Sequence, residues 1–152
     1  MKKLLLASSI VALTVGSQAF AADQAGNANV NIVSAITIAE DREIDFGTIV
    51  NVNGTCTMAS GGGLSGDAGM ACTGTETDGL FTITGTSGAV VDISLSGGDA
   101  DSSVVYNPVL DGAVSRTLTG GTTTANVIGN IVLTDTDDGD KDIAYTFTAN
   151  YQ

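Results

Sequence analysis

The 152-residue chain contains no histidine, no tryptophan, one proline and two cysteines, and its five lysines and arginines face 17 aspartates and glutamates. Without histidine, neither a Ser-His-Asp nor a Cys-His nucleophile can be assembled. Two cysteines with no histidine to join them do not make a zinc site. A formal net charge of −12 repels phosphate backbones and anionic lipid, which excludes nucleic-acid binding as a function class. After the first residues, no stretch approaches about 18 apolar residues, so no membrane insertion is expected. Carboxylate pairs such as Glu40 with Asp41 and Asp137 with Asp138 are the raw material of glycoside hydrolysis. They sit in turn-like segments without an aromatic platform nearby in sequence, so they read as solvated turns. Neither an enzyme nor a cofactor is expected.

Residues 1–21 have the order of a secretory signal peptide: Lys2 and Lys3, an apolar run from Leu4 to Val15, and Ala19-Phe20-Ala21 as a small-x-small cleavage site. The expected mature chain begins at Ala22 and is exported through an inner membrane. In an exported chain Cys56 and Cys72 pair as a disulfide. The bridge closes a glycine-rich loop and constrains the unfolded chain by about 3 kcal/mol.

Past that loop the pattern is all β. Leu80–Thr84, Val90–Leu95, Ser103–Val109, Val114–Leu118, Ala125–Leu133 and Ile143–Tyr151 are rich in Val, Ile, Thr and aromatics, with Gly, Ser and Asp clusters between them. No stretch sustains a helical period. Strands at this spacing imply an immunoglobulin-like antiparallel β-sandwich. Pro108 lies within a candidate strand, which marks an edge or a bulge.

Near the start, Ala28, Val30 and Ile32 alternate with asparagines, and the alternation resumes in another phase at Ile36 and Ile38, then Ile44 and Phe46. A phase change means either two strands or one bulged strand. In the first case residues 22–35 are an extension carrying a donor strand (Ala28, Val30, Ile32) and residues 36–152 are the domain. In the second, Ala28–Ile38 is a single strand of the fold.

The last fourteen residues, Gly139 to Gln152, place Ile143, Tyr145, Phe147, Ala149 and Tyr151 at every second position, with Tyr151 penultimate. This is the period of a half-buried strand, and its outer edge needs a partner. The glycine at fourteenth from the end, the alternation and the penultimate tyrosine resemble the C-terminal signature of subunits of chaperone-usher pili. An apolar-Asp-Phe-Gly stretch (Ile44 to Gly47), with a Thr/Gly-rich middle and a Tyr-ended last strand, is also similar to small secreted bacterial pilin-like sandwich proteins of uncertain function.

The resemblance implies a sandwich lacking one strand. Gly139, Ile143, Tyr145, Phe147, Ala149 and Tyr151 would then border an acceptor groove. A periplasmic chaperone fills that groove first, and the donor strand of the next copy replaces it at an outer-membrane usher. The implied product is an extracellular fimbria serving adhesion or biofilm formation. Cys56 and Cys72 depart from this pattern, because the first cysteine of such subunits commonly follows the donor segment closely. A different reading is a self-complemented monomeric sandwich that binds a surface, a glycan or calcium. Asp135, Asp137, Asp138 and Asp140 are its calcium candidates, but the run fails as an EF-hand loop, with glycine fifth and Thr146 twelfth. A hairpin turn accounts for the same residues.

Overall fold

A computed structural model describes residues 23–99 and 103–152. Residues 1–21, expected to be a signal peptide, lie outside the described residues. Contacts divide the chain between Asn31 and Ile32, a few residues before the boundary expected at 35/36. In the first unit, residues 23–31 are exposed and join no strand.

The second unit carries twelve strands and, among the described residues, no helix. In chain order they are β1 (Thr37–Arg42), β2 (Thr48–Ile49), β3 (Gly54–Met58), β4 (Leu64–Gly66), β5 (Cys72–Thr73), β6 (Gly79–Thr84), β7 (Val90–Ser96), β8 (Gly98–Asp99), β9 (Val104–Asp111), β10 (Ser115–Thr117), β11 (Thr122–Leu133) and β12 (Thr146–Tyr151). All ladders are antiparallel, and the result is the all-β sandwich expected from the strand spacing.

The long strand β11 organises the larger sheet. Residues 126–133 pair with β9, while 122–127 pair with β6 and 129–133 with β3. A residue has only two edges, so β3 and β6 lie end to end along the edge opposite β9. β1 continues the sheet beyond β6, β4 beyond β3, and β8 beyond β9. The smaller sheet is β10-β7-β12, and β2 pairs with β5 separately.

Alternation dictates the packing. Gly79, Phe81 and Ile83 of β6 are buried, as are Val104 and Tyr106 of β9 and Val91 and Ile93 of β7. One cluster joins Ile83 and Ala125 of the large sheet to Val91 and Ile93 of the small one, with Leu118. A second gathers Phe46, Cys56, Met58, Met70, Val104, Tyr106 and Leu133. With no tryptophan, five aromatic rings connect these clusters. Phe46 meets Tyr106 at 5.7 Å, Tyr106 meets Tyr145 at 5.2 Å, Tyr145 meets Phe81 at 6.2 Å, and Phe81 stacks on Phe147 at 4.3 Å. Such pairs contribute about 0.5–1.5 kcal/mol each beyond the area they bury.

Pro108 does mark an edge: β8 pairs only with Val105 and Tyr106, and on the β11 side Pro108 faces Gly129. Gly129 has φ 151°, and a Cβ there would run into the Asn107 carbonyl. Three expectations are corrected. Ala28–Ile38 is not one bulged strand, since pairing begins at Thr37. Ile44 and Phe46 do not extend β1. The chain leaves the ladder after Arg42, Asp45 makes an isolated two-bond bridge with Thr77 (2.8 and 2.9 Å), and Phe46 turns into the core. The last strand spans Thr146–Tyr151 and not Ile143–Tyr151. Its first residues instead run without strand pairing among the described residues, with Ile143 and Tyr145 packed against the Phe46 cluster.

Candidate strand-acceptor groove

β12 lies on β7 in one register, from Thr146 opposite Ser96 to Tyr151 opposite Val91. Among the described residues no strand occupies its other edge. β1 pairs only with β6, and all six of its residues are exposed. β12 and β1 therefore each present an open edge with unspent backbone donors and acceptors.

The side chains along β12 match these open edges. Phe147, Ala149 and Tyr151 pack against the Ile83 cluster, yet each remains half-buried. The sequence-predicted acceptor residues Ile143, Tyr145, Phe147, Ala149 and Tyr151 are thus brought into one line crossing both clusters. Gly139, with φ 131°, has open space around it and makes no contact that assigns it a role. The donor candidates Val30 and Ile32 are 81 % and 84 % exposed, and Ala28 is exposed too.

One end of this line is closed by a hydroxyl. The Tyr151 hydroxyl donates to the Ser34 carbonyl at 2.8 Å and accepts from the Thr86 amide at 2.7 Å. The Ser34 amide donates to the Thr86 hydroxyl at 2.7 Å, so both backbone groups of Ser34 are engaged. The alternation and the penultimate position of Tyr151 do not reveal this role of its hydroxyl. Its partners stand 65 and 117 residues away, and no local pattern announces them.

At the other end, residues 40–49 and 136–145 line an open groove of about 1280 Å³. Its floor includes Phe46, Tyr106, Ile131, Leu133 and Tyr145. Its lining also carries the exposed carboxylates of Glu40, Glu43 and Asp45 from the first segment and of Asp137, Asp138, Asp140 and Asp142 from the second. The basic residues in the lining are Arg42 and Lys141, and Arg42 is tied to Asp78 through a side-chain ion pair and a 2.8 Å bond to its carbonyl. The Tyr145 phenol is pushed up to about 12, first by burial and then by Glu40. Burial, with Tyr145 second, raises the Tyr106 phenol further. Tyr106 spends its hydroxyl on the Ile128 carbonyl at 2.9 Å.

The Asp-rich turn is organised by asparagines. Asn53 bonds both the side chain (2.8 Å) and the amide (2.6 Å) of Asp135, which sits at φ 48°. Asn51 holds the Thr136 carbonyl and the Asp138 carboxylate, each at 2.8 Å. Asp137 and Asp140 line the groove. Among the described residues no three potential metal ligands come together. Cys56 in β3 and Cys72 in β5 are bridged, with their Cα atoms 6.1 Å apart. The bridge fastens the β2-β5 ladder to the large sheet beside Phe46, so it braces the groove's floor.

Comparison of the chain with protein-family models, with curated proteins and with solved structures gave no match.

Proposed function

We propose that the chain is a structural subunit of an extracellular filament of the pilus type, which assembles when one copy donates the strand around Ala28–Ile32 to the open edges of β12 and β1 in the next. The observation that carries this reading is the unpaired outer edge of β12, with Phe147, Ala149 and Tyr151 half-buried along it. Strand addition supplies main-chain hydrogen bonds, and alternate side chains set the register. Burying Val30 and Ile32 contributes about 1.5–3 kcal/mol each, a large share of a domain stability of about 5–15 kcal/mol. Head-to-tail donation does not close on itself, so it yields a filament. In transit, a periplasmic chaperone would cover the groove.

The competing reading is a monomer whose own extension fills the groove. For that, the chain must reverse between Ile32 and Thr37. Of the usual turn formers Val33-Ser34-Ala35-Ile36 offers only Ser34, and Ser34 is held at both backbone groups. Donation between copies is therefore favoured.

The experiment removes the strand and returns it. A mature chain lacking residues 22–33, which keeps Ser34, should stay monomeric. Adding a peptide of residues 22–36 should raise its Tm by about 10 °C, as a few kcal/mol requires for a domain of this size. A deletion variant that assembles like the full mature chain, or one that the peptide leaves unchanged, would falsify strand donation.

A further inference from the structure

The groove between residues 40–49 and 136–145 has an apolar floor, but seven exposed carboxylates line it: Glu40, Glu43, Asp45, Asp137, Asp138, Asp140 and Asp142. One of its two cations, Arg42, is already spent on Asp78. Any segment entering between β1 and β12 and continuing along this floor passes carboxylates contributed by both lining segments. The Debye length is about 8–10 Å at moderate salt, so these carboxylates act together on an entering charge. The surface of every other copy is itself acidic, with 17 Asp and Glu against five Lys and Arg over the whole chain. From Gln24 to Ala39, however, no residue is charged, and the residues alternating with Ala28, Val30 and Ile32 are Asn27, Asn29 and Asn31. Asparagine is depleted in strands, so an alternating run of it calls for a reason other than strand propensity. Neutral amides keep the outward face polar without adding negative charge.

We propose that the acidic lining acts as a charge filter, so that the groove admits an uncharged extended segment, residues 24–32 of a second copy, and turns away the acidic segments that dominate this protein's surface. The proposal rests on the strand-donation reading. Within it, apolar side chains supply affinity while like-charge repulsion supplies selectivity and sets the rate of encounter. In this account Asn29 and Asn31 determine specificity through their lack of charge.

The test uses the full mature chain with Asn29→Asp and Asn31→Asp together, a second variant with both changed to lysine, and a third that adds Glu40→Gln and Asp142→Asn to the first. Assembly is followed by light scattering at about 20 mM and about 500 mM salt, where screening differs severalfold. At low salt the aspartate variant should assemble about tenfold more slowly than the unmodified chain and the lysine variant faster. High salt should bring the three rates together, and neutralising Glu40 and Asp142 should recover much of the aspartate defect. Isosteric Asn→Asp changes lie in a segment that joins no strand, so they leave the fold intact. Equal rates for the aspartate variant and the unmodified chain at low salt overturn the filter and leave strand donation standing, as does a slower rate that salt does not restore. An unmodified chain that never assembles overturns both.

Discussion

Replacing Tyr151 by phenylalanine removes one oxygen and leaves the ring. That oxygen donates to the Ser34 carbonyl at 2.8 Å and accepts from the Thr86 amide at 2.7 Å, so the change deletes two hydrogen bonds at the junction of β12 with the start of β1. A net value of about 0.5–1.5 kcal/mol per bond gives about 1–3 kcal/mol in total. With a urea slope near 2 kcal/mol/M the midpoint should fall by about 0.5–1.5 M. Tyrosine fluorescence can report the transition, because the chain has no tryptophan. Gly85 supplies an internal check. A Cβ at that position would run into the Tyr151 hydroxyl and reach Leu118 Cδ1 at 3.0 Å. Gly85→Ala should therefore destabilise the unmodified protein by about 1–3 kcal/mol. It should cost clearly less in the Tyr151→Phe background, where the nearest obstacle is gone, giving a coupling of at least about 0.5 kcal/mol. An unchanged midpoint for Tyr151→Phe, or strictly additive effects in the cycle, would refute the hydroxyl's role.

Gly129→Ala places a Cβ against the Asn107 carbonyl and 2.9 Å from the Tyr106 ring, at a φ that side chains rarely adopt; a loss of more than about 2 kcal/mol is expected in denaturant titration. Burial, followed by Glu40, raises Tyr145 from 10.0 to about 12. The folded state thus holds this proton more tightly. Its contribution to stability is complete below about pH 10 and is lost as pH rises through 12. Tyrosinate absorbance in the folded state should show this group ionising near pH 12, and Glu40→Gln should move it downward. Removing the disulfide with Cys56→Ala and Cys72→Ala should lower stability by about 3 kcal/mol in the loop-entropy estimate, measured against the oxidised parent.

Much of the fold was legible because a strand writes its period into its own residues. Phe81 and Ile83, or Val104 and Tyr106, alternate inward as the sequence alternates, and Pro108 sits where a strand has a free side. The start of the chain was legible only as two alternatives; the ladder beginning at Thr37 removes the single bulged strand, and residues 23–31 join no strand. Ile143 and Tyr145 continue the alternation of β12, yet they pack on the Phe46 cluster without strand pairing among the described residues. The apolar period was read correctly there, but the ladder depends on a neighbour that the period does not reveal. The acidic lining was visible only as scattered carboxylates, since residues 40–45 and 137–142 meet through tertiary folding. The Asp-rich turn invited a cation. In the fold Asn51 and Asn53 engage Asp138 and Asp135, and their relevance cannot be read at a separation of more than 80 residues.

The most direct test of the central claim is the size of surface-extracted mature protein on a denaturing gel, loaded unheated and then heated in the same buffer without reductant. Strand donation between copies predicts a ladder spaced by one subunit that collapses to a single band on heating, because the cross-chain contacts are non-covalent while Cys56–Cys72 lies within one chain. A single monomer band in both lanes, from material also monomeric before detergent, would contradict it.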